Sequence, residues 1–549
     1  MTPSNPAPSL APAQRQDWLW LLGIVFLSCF YQLGAVPLVD LDEGAFTEAT
    51  REMLASGDYI STWLNGEPRF DKPVLIHWLQ AASFSVFGLT EWAARLPSAL
   101  AGAATLMVLW WFMRRYASTD QALLAVAMVG LSLNMSLIFK AATADALLIL
   151  FMVTSLLAIF HYTQQSTSSQ QRRTLYLLYT CMGLGLLTKG PVAVFFSFLI
   201  SMLFFSLQGR FKDWLQAIFF MRGWALMALI ALPWYSLQTW KMGQAFIEGF
   251  FFKHNLSRFD SAMEDHQGSL FYYLPVILVA IWPFIRLLGP AFKQGQHRLR
   301  QPLVQYGLIW FGCVVVFFSV SGTKLPHYIN YGLPGLMLVL ALCFPKERAT
   351  ARVAGGHIQD RISAILPTAL LLGLLWALPW LMTQAPVTHS VYTPILDNFM
   401  TLAGQHHWWV WMSVFSVLAG LVYGVPLATH KRLISAAGVF VLALSTLVLP
   451  TAGALQQSPI KQAALKAKQL NQPAVLWRFN RPSFSFYYQG ITPKRAPKVG
   501  ELALTHQDKL ATFTDPYQIH YQKHGVVLLE RQSGASTKTP QRPKPDQNQ

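Results

Sequence analysis

The chain is dominated by apolar runs, each close to the length that crosses a lipid bilayer. A transmembrane helix needs about 20 consecutive apolar residues. Only 12% of the 549 residues are charged, whereas a soluble domain carries about 25%. The sequence therefore predicts an all-α polytopic membrane protein with about thirteen transmembrane helices, near residues 18–38, 93–113, 120–139, 142–162, 174–188, 190–207, 223–240, 269–289, 303–320, 326–344, 362–383, 408–427 and 433–450.

The placement of the positive charges predicts the orientation of these spans. The 42 Lys and Arg residues outnumber the 25 Asp and Glu residues and give a formal charge of +17, which in a soluble chain would suggest nucleic acid. With the N-terminus inside, eighteen of the 42 cations fall in the inside segments, as the positive-inside bias requires. The excess therefore indicates an N-in, C-out topology, and no nucleic-acid partner is expected.

The regions outside the spans differ in composition, and they predict four segments. A short tail rich in Pro, Ala and Ser precedes the first span, and the chain after the last span contains helix and strand patterns in SPIKQAALKAKQL, AVLWRF and GVVLLERQ. The predicted segments are a disordered cytoplasmic tail (1–16), a transmembrane domain (17–452) with long outside loops at 37–92 and 241–268, a small α/β domain outside (453–532) and a disordered tail (533–549).

The first outside loop contains a concentration of acids. Eight of the 25 acidic residues lie within residues 40–71, and topology does not explain this because Asp and Glu contribute little to orientation. The segment EGAFTEATREMLAS predicts a helix along the membrane surface that ends at Gly57. Asp42 stands at the start of this helix, with Glu43 and Glu48 as supporting acids. It is either an N-cap or a functional carboxylate facing an acceptor or a metal, and both interpretations remain open.

Three lysines lie at the outer ends of predicted spans. Lys72, Lys189 and Lys324 are on the side that the positive-inside bias disfavours. A single lysine in this position is normally a lipid anchor. Three together suggest a bound anion, and a phosphate is the obvious candidate at a membrane surface.

Two further groups of ionisable residues have alternative interpretations. Asp145 lies just inside the outer end of a span, where an ionisable group is a functional hypothesis by default, although Lys140 could neutralise it. The loop 241–268 contains carboxylates together with His254, His266 and Arg258. Such a set could bind a divalent cation, but its spacing matches no closed zinc motif.

Several motifs follow one another in a characteristic order along the first part of the chain. They are VDLDEG (39–44), EMLASGD (52–58), LNG (64–66), DKP (71–73), ARLPS (94–98), TAD (143–145), LTKGP (187–191), FKHNLSRF (252–259) and KLPHY (324–328). With this ordered set the sequence resembles, over about residues 18–345, the bacterial aminoarabinose transferases of lipid A. Those enzymes are similar to the protein O-mannosyltransferases and belong to the lipid-donor glycosyltransferases of the C-type fold.

The resemblance implies a reaction, a donor and a set of site residues. It implies inverting transfer of a sugar from an undecaprenyl-phosphate-linked donor at the bacterial inner membrane, by a monomer with a small periplasmic domain. The acceptor is lipid A, or alternatively a protein or glycan hydroxyl. By position, the resemblance implies Asp42 and Asp145 as the catalytic acids and Lys72 and Lys189 as donor-phosphate ligands. The charged residues at the span end and in the outside loops add Lys324 and Arg258 as further phosphate ligands, and Asp71 and His254 as candidate ligands of a divalent metal ion.

The chain departs from the family pattern at two positions. Ala45 stands where an arginine commonly follows the acidic run, and Asp71 stands where glutamate is usual. The missing arginine removes one expected phosphate ligand. The departure affects the identity of donor or acceptor rather than the reaction class.

A secondary transporter or lipid flippase is the alternative of a different class. Such proteins are also polytopic, but they tend to have polar or broken helices near the bilayer midplane and often contain inverted repeats. Here the ionisable residues lie in outside loops and at outer span ends. This distribution favours a transferase.

Overall fold

A computed structural model describes residues 13–256, 269–344, 358–384, 401, 403–405 and 407–534. Most of the two predicted disordered tails, and residues 257–268 of the second long loop, lie outside these ranges. The first half of the chain forms α1 (Arg15–Val25, continued by a π-helical turn Phe26–Phe30), α2 (Asp42–Ser56), a hairpin of β1 (Trp63–Leu64) and β2 (Glu67–Pro68), α3 (Leu75–Phe87), α4 (Glu91–Tyr116), α5 (Thr119–Leu131), α6 (Leu133–Ile138), α7 (Asp145–Thr163), α8 (Ser168–Lys189), α9 (Val192–Leu207), α10 (Phe211–Ile218), α11 (Met221–Met242) and α12 (Gln244–Phe246), which a π-helix extends over Ile247–Leu256.

The second half completes the helical bundle and adds a small sheet. Its elements are α13 (Tyr273–Ala280), a 3₁₀ turn (Phe284–Leu287), α14 (Leu288–Arg298), α15 (Pro302–Val320), a 3₁₀ turn (Pro326–Tyr331), α16 (Leu333–Leu342), α17 (Ile358–Gln384), α18 (Trp408–Gly424), α19 (Thr429–Ala443), a π-helical turn (Leu444–Val448), α20 (Leu449–Gln456), α21 (Ser458–Leu470), β3 (Ala474–Leu476), α22 (Pro482–Tyr488), β4 (Leu502–His506), a 3₁₀ turn (Gln507–Thr512), β5 (Tyr517–Lys523) and β6 (Val526–Arg531).

The helices form the multi-span membrane fold that the apolar runs predict. Every residue of α5 from Gln121 to Leu131 is buried, whereas α11 exposes Leu229 and Trp240 at 72% and 86%. Large apolar side chains on the outside of a long apolar helix require lipid around them. The chain is therefore a multi-pass membrane protein.

Helix length gives fewer spans than the apolar runs of the sequence. Five described helices are long and apolar enough to cross a bilayer, and two bent helix pairs would raise the number to seven. Each of the thirteen predicted segments contains helix, but several of these helices are shorter than a full span, so the thirteen-span topology stays a prediction. The segment 269–289 is not a straight span, because the chain bends by 105° after α13. Pro283, which has no amide hydrogen to donate, lies in this bend.

The predicted helix in the first outside loop is present as α2, but its surroundings differ from the expectation. It ends at Gly57, whose φ of 71° is left-handed and whose N–H donates to the Met53 carbonyl. This confirms the predicted C-cap. Every residue from Glu43 to Met53 is buried, which the pattern of the segment did not predict.

The C-terminal region packs against the start of α2 and the residues just before it. The Ser483 backbone N–H and hydroxyl both donate to the Asp40 carboxylate, and the Tyr487 hydroxyl accepts from the Leu38 N–H at 2.8 Å. A Cβ on Gly44 would come within 2.2 Å of Asp40 Oδ1 and 2.6 Å of the Ser483 nitrogen. Glycine is therefore required where α22 docks on α2.

The C-terminal region contains a four-stranded mixed sheet in the order β3-β4-β6-β5. The strand β3 is parallel to β4, and the other neighbours are antiparallel. The helix and the two strands that the sequence predicts are present as α21, β3 and β6. The strands β4 and β5 and the helix α22 were not predicted, and the proposed domain boundaries stay predictions.

Candidate functional site

A cavity of about 360 Å³ lies where the start of α2 meets the ends of the bundle helices. Its walls come from the end of the first span, the start of α2, the segment between α6 and α7, and the 3₁₀ turn at Pro326–Tyr331. Four carboxylates line it: Asp40, Asp42, Glu43 and Asp145. Their partners determine what each can do.

Asp42 is the carboxylate that remains open. It is the first residue of α2, and its side chain is exposed towards the cavity. The helix begins without a side-chain cap, so the N-cap interpretation of Asp42 is wrong. Within the described part of the chain Asp42 makes no hydrogen bond or ion pair. Its oxygens are therefore available to a substrate.

Asp145 is the opposite case, because three side chains hold it. It is the first residue of α7 and is only 9% exposed. Lys189 Nζ lies 2.6 Å from its Oδ1, the Tyr331 hydroxyl donates to the same oxygen at 2.5 Å, and Thr143 donates to Oδ2 at 3.2 Å. Asp145 is thus neutralised by Lys189 and not by Lys140, whose ammonium donates to Ser445 Oγ at 3.0 Å.

Lys189 is placed by the end of α8 and by aromatic rings. It is the last residue of α8, directly before Gly190 with φ of 80°. Its ammonium also donates to the Tyr331 hydroxyl at 2.8 Å and lies 5.5 Å and 5.9 Å from the ring centres of Tyr331 and Tyr328. Aromatic faces attract a cation at this range. The Lys189 ammonium is therefore fixed beside Asp145 and the cavity wall.

Four of the predicted residues converge around His327. This histidine lines the cavity and lies within electrostatic range of Asp42, Lys72, Asp145 and Lys189. The structure thus brings together four of the predicted residues from well-separated positions in the chain.

Asp71 was predicted as a metal ligand, but its carboxylate is paired with a cation. Arg69 donates to both oxygens at 2.5 and 2.8 Å, and Lys72 Nζ donates to the Asp71 carbonyl at 3.0 Å. Among the described residues no group of three or more His, Cys, Asp or Glu side chains is arranged to hold a metal ion. The other predicted ligand, the His254 side chain, lies outside what the structure describes, as does the predicted phosphate ligand Arg258. The metal site therefore stays a prediction.

Lys324 and Glu48, like Lys72 and Lys189, do not line the cavity. Lys324 is buried and donates to the Ser321 carbonyl at 2.9 Å, at the end of α15. Glu48 is buried within α2 and accepts two hydrogen bonds from Arg51 at 2.7 and 2.8 Å. Burial raises the pKa of the Glu48 carboxyl to about 8, although Arg51 acts against this shift. Both side chains therefore have partners of their own outside the cavity.

Glu43 has a structural role that its position in the acidic run did not reveal. Arg95 donates to both of its oxygens at 2.7 and 2.8 Å, and the backbone N–H groups of Val39 and Ala142 donate to it as well. Burial by itself raises the pKa of the Glu43 carboxyl, but Arg95 and the two amides outweigh it and hold the pKa below its usual range. Glu43 therefore ties the start of α2 to the bundle.

Asp40 joins the cavity to the C-terminal region. Its carboxylate accepts both hydrogen bonds from Ser483. Burial raises the pKa of Asp40 to about 6, while these hydrogen bonds act in the opposite direction. One wall of the cavity therefore depends on the docking of α22.

Three side chains at the site were not selected from the sequence. His327 lies in the KLPHY motif (324–328), but its imidazole received no role, and Tyr331 lies three residues beyond that motif. Lys140 was considered only as a partner of Asp145, although it lines the cavity. It meets the same criterion as Lys189, since it is a lysine at the outer end of a predicted span, and that signal could have identified it.

Comparisons with known proteins identify the family and the fold of the chain. Residues 71–236 match the family described as dolichyl-phosphate-mannose-protein mannosyltransferase. An uncharacterized protein of Aquifex aeolicus is 31% identical over 332 residues, which cover 60% of this chain and 74% of that protein. An undecaprenyl phosphate-α-4-amino-4-deoxy-L-arabinose arabinosyl transferase of Aeromonas salmonicida is 30% identical over 328 residues, which cover 59% of each chain. The chain thus spans less than two thirds of that relative.

A solved structure shares the fold over nearly the whole chain. The crystal structure of ArnT from Cupriavidus metallidurans bound to undecaprenyl phosphate superposes with a TM-score of 0.77 at 20% identity, covering 94% of this chain and 98% of that one. The apo state of the same protein gives a TM-score of 0.73. The similarity includes the small mixed-sheet region at the C-terminus, since the match extends over that part of the chain.

Proposed function

Because the chain belongs to the family of the dolichyl-phosphate-mannose-protein mannosyltransferases and the bacterial aminoarabinose transferases, we propose that it is a membrane glycosyltransferase with an undecaprenyl-phosphate-linked sugar donor. One observation carries the proposal. The open Asp42 carboxylate faces a cavity whose wall includes Asp145, and Lys189 and Tyr331 hold Asp145 from behind that wall. Lys72 lies within electrostatic range of His327, which lines the same cavity.

The lysines are suited to the donor side of the reaction. In inverting transfer, the bond between the anomeric carbon and the phosphate oxygen breaks as the acceptor oxygen bonds to the opposite face of that carbon. The electron pair of the broken bond stays on the phosphate, so undecaprenyl phosphate leaves with additional negative charge. Ammonium groups placed at that charge stabilise the transition state. We assign this role to Lys72 and Lys189, with Asp145 and Tyr331 fixing the Lys189 ammonium.

The acceptor determines the task of Asp42. A lipid A phosphate is already anionic at neutral pH, so Asp42 would only position it. A sugar, serine or threonine hydroxyl would instead give its proton to the Asp42 carboxylate as the new bond forms. We propose lipid A with an aminoarabinose-type donor as the first pair to test, and a hydroxyl acceptor with another sugar as the alternative.

The charge pattern supports a location for this reaction. The positive-inside pattern supports a cytoplasmic N-terminus and a periplasmic C-terminal region in a bacterial inner membrane. The cavity, which is closed on one wall by that region through Asp40 and Ser483, would then open on the periplasmic side.

Transfer by reconstituted protein tests the role of Asp42. Wild-type protein in vesicles with undecaprenyl phosphate-aminoarabinose and lipid A should form modified lipid A, and Asp42→Asn should abolish product. Glu67→Gln is the matched control, because Glu67 is an exposed acid in the same loop that does not line the cavity. Wild-type product levels from a correctly inserted Asp42→Asn protein would contradict the assignment.

The identity of sugar and acceptor needs a second measurement. Mass spectrometry of lipid A and of envelope glycans from deletion and complemented strains should reveal one lost mass increment, which names sugar and acceptor together. Uptake of a labelled substrate into vesicles without any covalent product would instead favour the transporter alternative.

A further inference from the structure

The cavity extends from the Asp42 and Asp145 carboxylates to a second, separate charge. Lys140 lies in the turn between α6 and α7, lines the cavity and is only 9% exposed. Its ammonium donates to Ser445 Oγ at 3.0 Å, on the π-helical turn Leu444–Val448. No carboxylate of the described residues forms an ion pair with it.

This environment leaves the ammonium incompletely satisfied. A lysine ammonium has three donors, and one neutral hydroxyl accepts from one of them. The acids that could compensate it are held elsewhere, since Glu43 is paired with Arg95 and Asp145 with Lys189. A buried charge without a counter-charge is costly. Burial lowers the pKa of Lys140 to about 8, so the group remains mainly charged at neutral pH and attracts an anion.

The walls beside Lys140 indicate what kind of anion fits. Leu137, Ile138 and Leu449 line the cavity next to it. A small inorganic anion would gain nothing from these apolar side chains. An amphiphile with a phosphate and a hydrocarbon part would bury its apolar portion against them and its phosphate at the ammonium.

We propose that Lys140 and Ser445 form a second anion subsite of the cavity, which holds a phosphate group of a lipid acceptor while its apolar part lies along Leu137, Ile138 and Leu449. The proposal rests on the proposed function, because it assigns the acceptor to a lipid phosphate class rather than to a neutral hydroxyl. The donor phosphate keeps its own lysines, Lys72 and Lys189. The two anions of one reaction thus have two separate cation sites.

Binding measured without turnover tests the subsite. Full-length protein in nanodiscs of phosphatidylcholine is titrated with lipid A and with chemically dephosphorylated lipid A. Wild type should prefer the phosphorylated form by about tenfold or more, as expected for a charge-assisted contact. Lys140→Met should lose this preference, Lys140→Arg should keep it, and Ser445→Ala should reduce it.

Two controls separate the subsite from a folding defect. Undecaprenyl phosphate binding should be unchanged in Lys140→Met, since its proposed lysines are elsewhere. Lys431→Met should retain the lipid preference, because Lys431 contacts Gln16 and does not line the cavity.

Two binding results would overturn the proposed subsite. Lys140→Met protein that binds undecaprenyl phosphate and still discriminates the two lipid A forms like wild type would overturn it. Displacement of bound lipid A by millimolar inorganic phosphate would indicate a free-anion pocket and overturn the lipid assignment. A wild-type protein that shows the lysine-dependent preference but forms no glycosylated product would instead contradict the proposed function and leave the subsite supported.

Discussion

Asp42 and Asp145 are both carboxylates at the first residue of a helix, but their partners give them different chemistry. The N-terminus of a helix favours negative charge, so both positions stabilise a carboxylate. Asp145 is held by Lys189, Tyr331 and Thr143, whereas Asp42 has no partner among the described residues. The held acid is suited to position a cation, and the open acid is suited to meet the substrate.

The Tyr331 hydroxyl provides a test of this division at the level of a single atom. It donates to Asp145 at 2.5 Å and accepts from Lys189 at 2.8 Å. Tyr331→Phe should lower transfer by about tenfold, because a hydrogen bond to a charged group contributes about 1.5–3 kcal/mol, while membrane insertion stays normal. The measurement is the initial rate of product formation in vesicles at saturating donor.

Tyr328→Phe is the matched control for that prediction. The Tyr328 ring also lies beside the Lys189 ammonium, at 5.9 Å, but its hydroxyl has no role in the Asp145 cluster. Its removal should leave the rate near wild type. Equal losses in both variants would contradict a specific role of the Tyr331 hydroxyl in the Asp145 cluster.

At the scale of helices and strands, the sequence predicted the elements that a local residue pattern determines. The apolar runs predicted helix in every bundle segment, and Gly57 predicted the end of α2 because a left-handed residue is needed there. The packing of the C-terminal region on the start of α2 was not predictable in the same way. It is provided by Ser483 and Tyr487, which lie more than 400 positions further along the chain, and no periodicity in residues 42–56 reveals a partner at that distance.

The contact between α2 and α22 makes Gly44 the sharpest test at this scale. A Cβ added there would meet Asp40 Oδ1 and the Ser483 nitrogen, so Gly44→Ala should displace α22 and lower the free energy of unfolding by about 1–3 kcal/mol. Thermal unfolding in detergent should show a lower midpoint. Gly23→Ala is the control, since a Cβ there meets nothing within 4 Å in α1 and alanine favours helix by about 1 kcal/mol. An unchanged midpoint for Gly44→Ala would show that the docking is not tight.

At the scale of the whole molecule, the site is assembled from segments that are distant in sequence. Tyr331 and Asp145 are 186 positions apart, and Lys189 and Asp145 are 44 apart. The type of residue at each position could be recognised from motifs, but the pairing could not, because it depends on which helix ends meet. That is why the sequence offered only Lys140 as an alternative partner of Asp145, whereas the structure pairs Asp145 with Lys189.

The same assembly predicts that the β1–β2 hairpin and the C-terminal region face one side of the membrane. Arg173, near the start of α8, should face the other side. Cysteines introduced at Glu67, Lys468 and Arg173, all exposed, can be labelled with a membrane-impermeant maleimide on intact spheroplasts. The four native cysteines are buried or partly buried, so background labelling should be low. Glu67→Cys and Lys468→Cys should react in intact spheroplasts, and Arg173→Cys only after lysis. The contact between Asp40 and Ser483 requires Glu67 and Lys468 to lie on the same side of the membrane. Reaction of only one of these two cysteine variants would therefore contradict the fold. Reaction of Arg173→Cys alone would mean the opposite topology with the same fold.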